Sequence, residues 1–497
     1  MRGAAPAPFP NAILSSMLTL FVLLAAIGGD PLASNAKAIA ALERSVAAYG
    51  GARDDRSHID IEKDLKLTLS IRADAISEGQ SLAVLPPFES YPLRIDAKID
   101  RPGKRQRMVW DSSIAGDFRF VDVTVLQDGK GFALGEDLKT WREVASEPPT
   151  LNRFLPHRLV AQVLQNRASL RWLGSTDGEE SVFAGMPMGL MTLHFDAKNG
   201  LLKRAERITS YGIFGDGTQE AVFEDYRRVG ALQLPARLRV RTRNSVHGAL
   251  ETVYHYDARA VAEFDAKELA IPEGYTKADF SWRGPFTAKP LAKDVYLFEN
   301  VTGTTGQWSY NVLAVVFDEF VLVAEAPAGN ETTDKVLEKL RELAPGKPVR
   351  YLVQSHHHSD HIAGIRSYIA EGTTILTGES VKPLIEKIAA APTLLAPDRL
   401  MRDPKAPKIE TVKEPRTIRD AHHEVVIYNI GPNPHARDML IVHLPSEKIL
   451  WQSDMVNEGE YPPNAATKDF TSKVGALGLK YEQMVGLHGR AKLMSPP

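Results

Sequence analysis

Residues 353 to 364 read VQSHHHSDHIAG, four histidines and one aspartate within six positions, directly after the apolar run VRYLV. So many imidazoles in one short loop are costly unless they are hydrogen-bonded or metallated. The pattern is His356-x-His358-x-Asp360-His361. Along an extended segment side chains alternate, so His356 and His358 point to one side and can grip one cation through ring nitrogens. Asp360 and His361 come where the chain bends toward the next helix, and they are free to face a second cation. The loop follows a buried strand, and α/β folds place their sites at the carboxyl ends of interior strands.

Two metals of coordination number four or five need more ligands than this loop supplies, so the rest must come from elsewhere. Three candidates stand where later strands end: His435 in NIGPNPHARDML, Asp454 in EKILWQSDM and His488 in VGLHGR. A lone histidine is usually an ordinary hydrogen-bonding residue, so each gains weight only from its order along the chain. His357 and the pair His422-His423 read as outer or surface groups.

At 497 residues the chain calls for two domains. After a helix in NAKAIAALERSVAAYGG, closed by Gly50-Gly51, residues 37 to 275 alternate in the manner of strands. DLKLTLSIR sets Leu65, Leu67, Leu69 and Ile71 on one face, and LRIDAKID does the same with Leu93, Ile95, Ala97 and Ile99. A hairpin turns at Asn199-Gly200, and RLRVRTR is a strand with a basic outer face. This half is read as an antiparallel, β-rich accessory domain, with a layout similar to the half-barrel of periplasmic lipoprotein carriers. It shows no His/Asp/Glu cluster at ligand spacing.

A Pro-, Gly- and Lys-rich stretch over 276–292 reads as a linker, and from 293 strands and helices alternate. NVLAVVFDEFVLVAEAP is a pair of strands around a tight turn, and TTDKVLEKLRELAPGKP is a helix starting at Thr332 or Thr333 and stopped at Pro345-Gly346. The loops APTLLAPDRLMRDPKAPK and NEGEYPPNAATKDF are expected to wall the site.

Over about residues 285 to 497 the sequence resembles the metallo-β-lactamase superfamily of metallohydrolases. That family carries an HxHxDH loop, a later His, an Asp after a strand and a final His, and these fall in order on His356, His358, Asp360, His361, His435, Asp454 and His488. The resemblance implies an α/β fold, an αββα sandwich, behind the β-rich N-terminal domain. It places His356, His358 and His435 on one metal, Asp360, His361 and His488 on the other, and Asp454 between them. Nitrogen-rich donors without thiolate suit zinc, two Zn2+ per chain. The implied reaction is hydrolysis of an ester, thioester, lactone or amide by a metal-bridging hydroxide, with Asp360 as proton acceptor. An iron-dependent oxidoreductase like persulfide dioxygenases, a β-lactamase and a carrier with a vestigial metal site are the alternatives.

Two departures from the family bear on the site. Its early strand usually closes on an aspartate that supports the loop without binding metal, and here Glu325 in VLVAEAP stands there. In the lactamases, the position of Asp454 is a cysteine or a non-ligand. Only nine residues follow His488, so the helical extension by which glyoxalase II holds substrate has no counterpart.

Lys and Arg number 60 against 62 Asp and Glu, with no long basic run, so a small molecule and not nucleic acid is the expected partner. Arg2 and the apolar run AILSSMLTLFVLLAAIGG have the layout of a secretory signal over 1–36, with Ser34 and Ala36 before the cut. A periplasmic or secreted protein follows; if the run is left uncleaved, it is the one membrane attachment expected. The chain has no cysteine, so neither disulfides nor a lipid-bearing thiol enter.

Overall fold

The computed structural model describes residues 30–50, 52–53, 59–62, 64–113, 119–135, 139–144, 151–186, 189–279, 284–302, 309–456 and 464–489. The apolar run of the expected signal, residues 1–29, lies outside them. Among the described residues no helix is long and apolar enough to cross a membrane.

In the first half, alternation becomes register. Lys66–Ile76 pairs antiparallel with Ser90–Asp100, so that Leu67 opposes Ile99, Leu69 opposes Ala97 and Ile71 opposes Ile95. Cross-strand apolar pairs of this kind fix which face is buried. Repeated along the chain, this gives one open sheet of fourteen strands among the described residues, running from Thr276–Lys277 at one edge to Arg171–Thr176 at the other. The hairpin at Asn199-Gly200 forms, with Gly200 at φ +74°. Two helices cover the apolar face, Pro31–Ala48 and Pro156–Gln165. Only the first is announced by the sequence pattern; the second buries Val160, Val163 and Leu164, an i, i+3, i+4 stripe in a helix of only ten residues. The basic face of Arg237–Asn244 is matched by acids on neighbouring strands: Arg237 and Arg239 bond Glu224, and Arg241 bonds Glu251.

Two of the expected boundaries fall within or beside regular elements. The break after residue 36 falls inside Pro31–Ala48, because Asp30 caps that helix at its start and Ser34 and Asn35 already bond the backbone of residues 167–172. The linker over 276–292 is taken up at both ends, Thr276–Lys277 by the first sheet and Thr287–Ala292 by the second half. Pro290 is tolerated there because this strand is an edge.

In the second half a seven-stranded sheet runs from Thr287–Ala292 to Lys408–Thr411, and a five-stranded sheet from Arg416–Arg419 to Gln483–Gly486. Alternation again sets the layers. Leu440, Val442, Ile449, Trp451 and Val485 join the core shared with the seven-stranded sheet, while Met439, Ile441, Leu450 and Met484 pack with Phe470 and Val474 of the outer helix Ala465–Leu477. Helices Asn330–Leu343, Ile365–Glu371 and Lys382–Ala390 add Val336, Ile369 and Ile385 to the shared core. The first of these starts at Asn330, two residues before Thr332, with Gly329 at its N-cap.

The helix Pro156–Gln165 is tied to the rest of its domain by charge. Glu62, buried, receives Arg158 through two bonds of 2.8 Å and His157 Nε2 at 2.7 Å. Burial pushes the Glu62 carboxyl up, but Arg158 and His157 outweigh it and hold the group well below the usual carboxylate range. A depressed folded pKa contributes stability above the unfolded value of about 4.3 and loses it as pH falls toward the folded one. Glu62→Ala should therefore cost about 3–5 kcal/mol at pH 7. In urea unfolding, the gap between wild type and Glu62→Gln should narrow below about pH 4.

Candidate metal centre

The strand Val349–Val353 is hydrogen-bonded in parallel on both sides, to Val321–Ala324 and to Thr374–Thr377, so the residues after it are held at the sheet's carboxyl edge. His356, His357, His358 and His361 follow, all buried. The strands Glu424–Asn429, Ile449–Gln452 and Gln483–Gly486 of the other sheet deliver His435, Asp454 and His488 to the same edge. Two cross-sheet contacts fix the approach: Leu440 N donates to Ser355 O at 2.9 Å, and Asn311 N donates to Leu487 O at 2.7 Å.

All seven predicted residues are brought together. The donor atoms of His356, His358, His435 and Asp454 lie within 4.8 Å of one another, and so do those of Asp360, His361 and His488. Asp454 stands between the groups. Its Oδ2 is 2.9 Å from His435 Nε2, 3.0 Å from His361 Nε2 and 3.5 Å from His356 Nε2, and its Oδ1 is 3.1 Å from His488 Nε2. Asp360 Oδ2 is 3.3 Å from His361 Nε2 and 3.6 Å from His488 Nε2.

Glu325 belongs to a third group, with His356 and His361. Its carboxylate is already satisfied. Oε1 accepts from Gln354 Nε2 at 2.5 Å and Ser355 N at 3.0 Å, and Oε2 accepts from Ser355 Oγ at 2.6 Å and Ser453 Oγ at 3.2 Å. A hydroxyl has one proton to give. Ser355 Oγ gives its proton to Glu325, so at 2.9 Å it must accept from His356 Nδ1–H. Ser453 Oγ likewise accepts from His361 Nδ1–H at 3.1 Å. Both imidazoles are thereby oriented with Nε2 toward the cluster, the atom that would meet a cation.

The electrostatics separate the two groups. Burial lowers the His356 and His358 pKa well below the usual range, with the neighbouring His361 and His435 adding to the effect, so both rings are neutral. Burial opposes charge on His361 too, but Asp360 and Asp454 overcome it and raise its pKa well above the ordinary value. His488 is raised through Asp454 against the same burial. The Asp454 and Asp360 carboxyls, pushed up by burial, are held low by His361 and, behind it, His488.

The donors fit a metal. Buried His356 Nε2 and both ring nitrogens of His358 have no hydrogen-bond partner among the described residues, and buried polar atoms without partners are rare unless something else satisfies them. His356, His358, His435 and Asp454 could hold a metal ion, and so could Asp360, His361 and His488.

Other residues at the site lie outside the motifs. His357 is buried, not on the surface, and donates from Nε2 to Ser81 O at 2.5 Å. Of the other pair, His422 is exposed while His423 bonds Glu447. Tyr310 donates to Asp360 Oδ2 at 3.3 Å, and Gln80 of the first domain donates to Asp360 Oδ1 at 2.8 Å. The loop expected over 391–408 turns partly away: Pro392 O and Leu395 N bond Asp216 of the first domain. Residues 457–463 of the other expected wall lie outside the described residues.

Over about two fifths of its length the chain is similar to solved metallo-β-lactamase structures, the family its histidine motif resembles. A metallo-β-lactamase from Pontibacter korlensis is 20% identical over 41% of this chain and 92% of its own, with a TM-score of 0.33. The DIM-1 metallo-β-lactamase is 18% identical over 43% and 92%, also at 0.33. FIM-1 from Pseudomonas aeruginosa, in its mono-zinc form, is 18% identical over 41% and 88%, at 0.31. No family model and no curated protein matches the chain.

Glu325→Gln keeps the volume but turns one acceptor oxygen into a donor NH2: placed at Oε2 it takes the acceptor from both serine hydroxyls behind His356 and His361, and placed at Oε1 it faces the Gln354 and Ser355 N–H groups. Zinc affinity should fall by about 10–100-fold. Equilibrium dialysis against a chelator measures this; an unchanged affinity would remove Glu325 from the metal centre.

Proposed function

We propose that this protein is a metal-dependent hydrolase that holds two zinc ions and cleaves an activated acyl substrate, an ester, thioester or lactone. The observation that carries the reading is Asp454, a carboxylate set between two donor groups, with Oδ2 against His435 and His361 and Oδ1 against His488. Zinc bound there supplies Lewis acidity and brings the pKa of a water down to roughly 7. The chain's own part is to orient and to move protons. Asp360 accepts the proton of the attacking water, the water oxygen bonds to the acyl carbon, and the C–O or C–S bond breaks. The departing alkoxide or thiolate recovers its proton from Asp360. Tyr310, 3.3 Å from Asp360 Oδ2, steadies that carboxylate.

The donor set also bears on the leaving group. Asp454 adds a second carboxylate to a centre that already has Asp360, which lowers the net positive charge available to a departing amine. An alkoxide or thiolate needs less help, so β-lactams should be poor substrates. A periplasmic or secreted setting, entered through the apolar run before residue 30, belongs to the same proposal.

The purified protein should contain close to two zinc ions per chain, and Asp454→Ala should deplete the Asp360/His361/His488 group more than the three-imidazole group. Iron as the main metal, with oxygen uptake, would overturn the hydrolase reading in favour of an oxidoreductase. At fixed zinc, a panel of aryl esters, thioesters, lactones and a chromogenic cephalosporin should show the best ester or thioester ahead in kcat/KM by at least about 100-fold, or nearly 3 kcal/mol. Parity with the cephalosporin would restore a lactamase.

A further inference from the structure

The β-rich domain reaches the metal centre through one loop, between the strands Lys66–Ile76 and Ser90–Asp100. Three successive residues of it grip the histidine loop. Gly79 O accepts from Ser359 N at 2.8 Å, Gln80 Nε2 donates to Asp360 Oδ1 at 2.8 Å, and Ser81 O accepts from His357 Nε2 at 2.5 Å. The approach is so close that a Cβ on Gly79 would sit 2.5 Å from Ser359 Oγ and 2.9 Å from its Cβ. The loop is braced from within, Gln80 N donating to Ser77 O at 3.2 Å and Ser81 Oγ accepting from Ala83 N at 3.1 Å.

We propose that Gln80 is a positioning residue for the second metal group, holding Oδ1 of Asp360 so that Oδ2 faces His361 and His488. The assignment rests on the metal-dependent reading of the site. The terminal torsion of an aspartate is broad and nearly two-fold, so a carboxylate gripped at one oxygen only can swing. Here the two oxygens have divided roles. Oδ2 meets Tyr310, His361 and His488 at 3.3–3.6 Å, and Oδ1 takes the shorter, better-placed bond from Gln80. An amide is the suitable donor: it adds no charge to a cluster already balanced between imidazoles and carboxylates, and it cannot compete for the cation as a carboxylate would. Partners behind the ligands in this way set ligand orientation and metal affinity together. The first domain thus completes a centre to which none of its described residues contributes a ligand.

The test uses the full chain and zinc itself, titrated against a chromophoric chelator that resolves two binding events. The event belonging to the second group is the one that His488→Ala removes. Gln80→Leu, which keeps the volume without the donor, and Gln80→Ala should each weaken that event about 10–100-fold while the His356/His358/His435 event stays within about threefold. The metal-free melting temperature should stay near wild type, and ester turnover should lose kcat with little change in KM. If both binding events fall together with the metal-free melting temperature, Gln80 is only a docking contact and the proposal is overturned. It is equally overturned if neither event moves. A wild-type chain that binds no divalent ion overturns the metal reading and this assignment together. Two zinc ions without hydrolysis overturn only the hydrolase reading, since the binding isotherms still decide the role of Gln80.

Discussion

The buried carboxylate of Glu325 is the contact on which the metal centre depends. It joins the ends of three strands: its own, Val321–Ala324; Val349–Val353, through Gln354 and Ser355; and Ile449–Gln452 of the other sheet, through Ser453. A carboxylate in so enclosed a place is costly unless its oxygens are hydrogen-bonded, and here four donors reach them. Glu325 also sits at φ +98°, an uncommon conformation for a residue with a side chain, which costs on the order of 1–3 kcal/mol and persists only where the surroundings fix it. The reward is geometric. One side chain orients a histidine from each donor group, His356 through Ser355 and His361 through Ser453. A glutamate reaches one methylene further than the aspartate of the resembled family. That extra reach lets it span both serines without itself entering the cluster.

The second constraint is that the two halves share a core. Val84, Ile213, Phe214 and Val246 of the first half belong to the same buried cluster as the core of the second half. Around them His247 is packed against Phe88 and Phe214, and burial brings its pKa down to about 4, so it serves there as a neutral ring. Lys387 donates to Val246 O at 3.1 Å and Asp216 N to Pro392 O at 2.6 Å, so polar bonds ring the apolar contact. An interface of this composition is suited to fixing a loop at the precision a metal ligand needs. The contact of Gln80 with Asp360 is therefore the tip of a buried joint.

What could be read from the sequence follows the range of each physical signal. Ligand spacing inside VQSHHHSDHIAG is local and marks its own residues, whereas His435, Asp454 and His488 are ordinary residues singly and gain weight only from falling in the order of the resembled family's motifs. Alternation marked Leu67, Leu69 and Ile71 for burial in the same way. The helix Pro156–Gln165 was missed because ten residues give less than three turns of periodicity. Gln80 had no signal at all: SEGQS is an ordinary polar turn, and its partner lies 280 positions along the chain. Only the depth at which the first sheet docks decides which turn residue meets Asp360, and that depth is set by apolar packing of Val84, Phe214 and Val246, not by any polar motif. Residues that bind metal are held to a few types by chemistry and so advertise themselves. A residue that orients a ligand from another domain need only be a donor in the right place, and its identity becomes informative once the packing that puts it there is known.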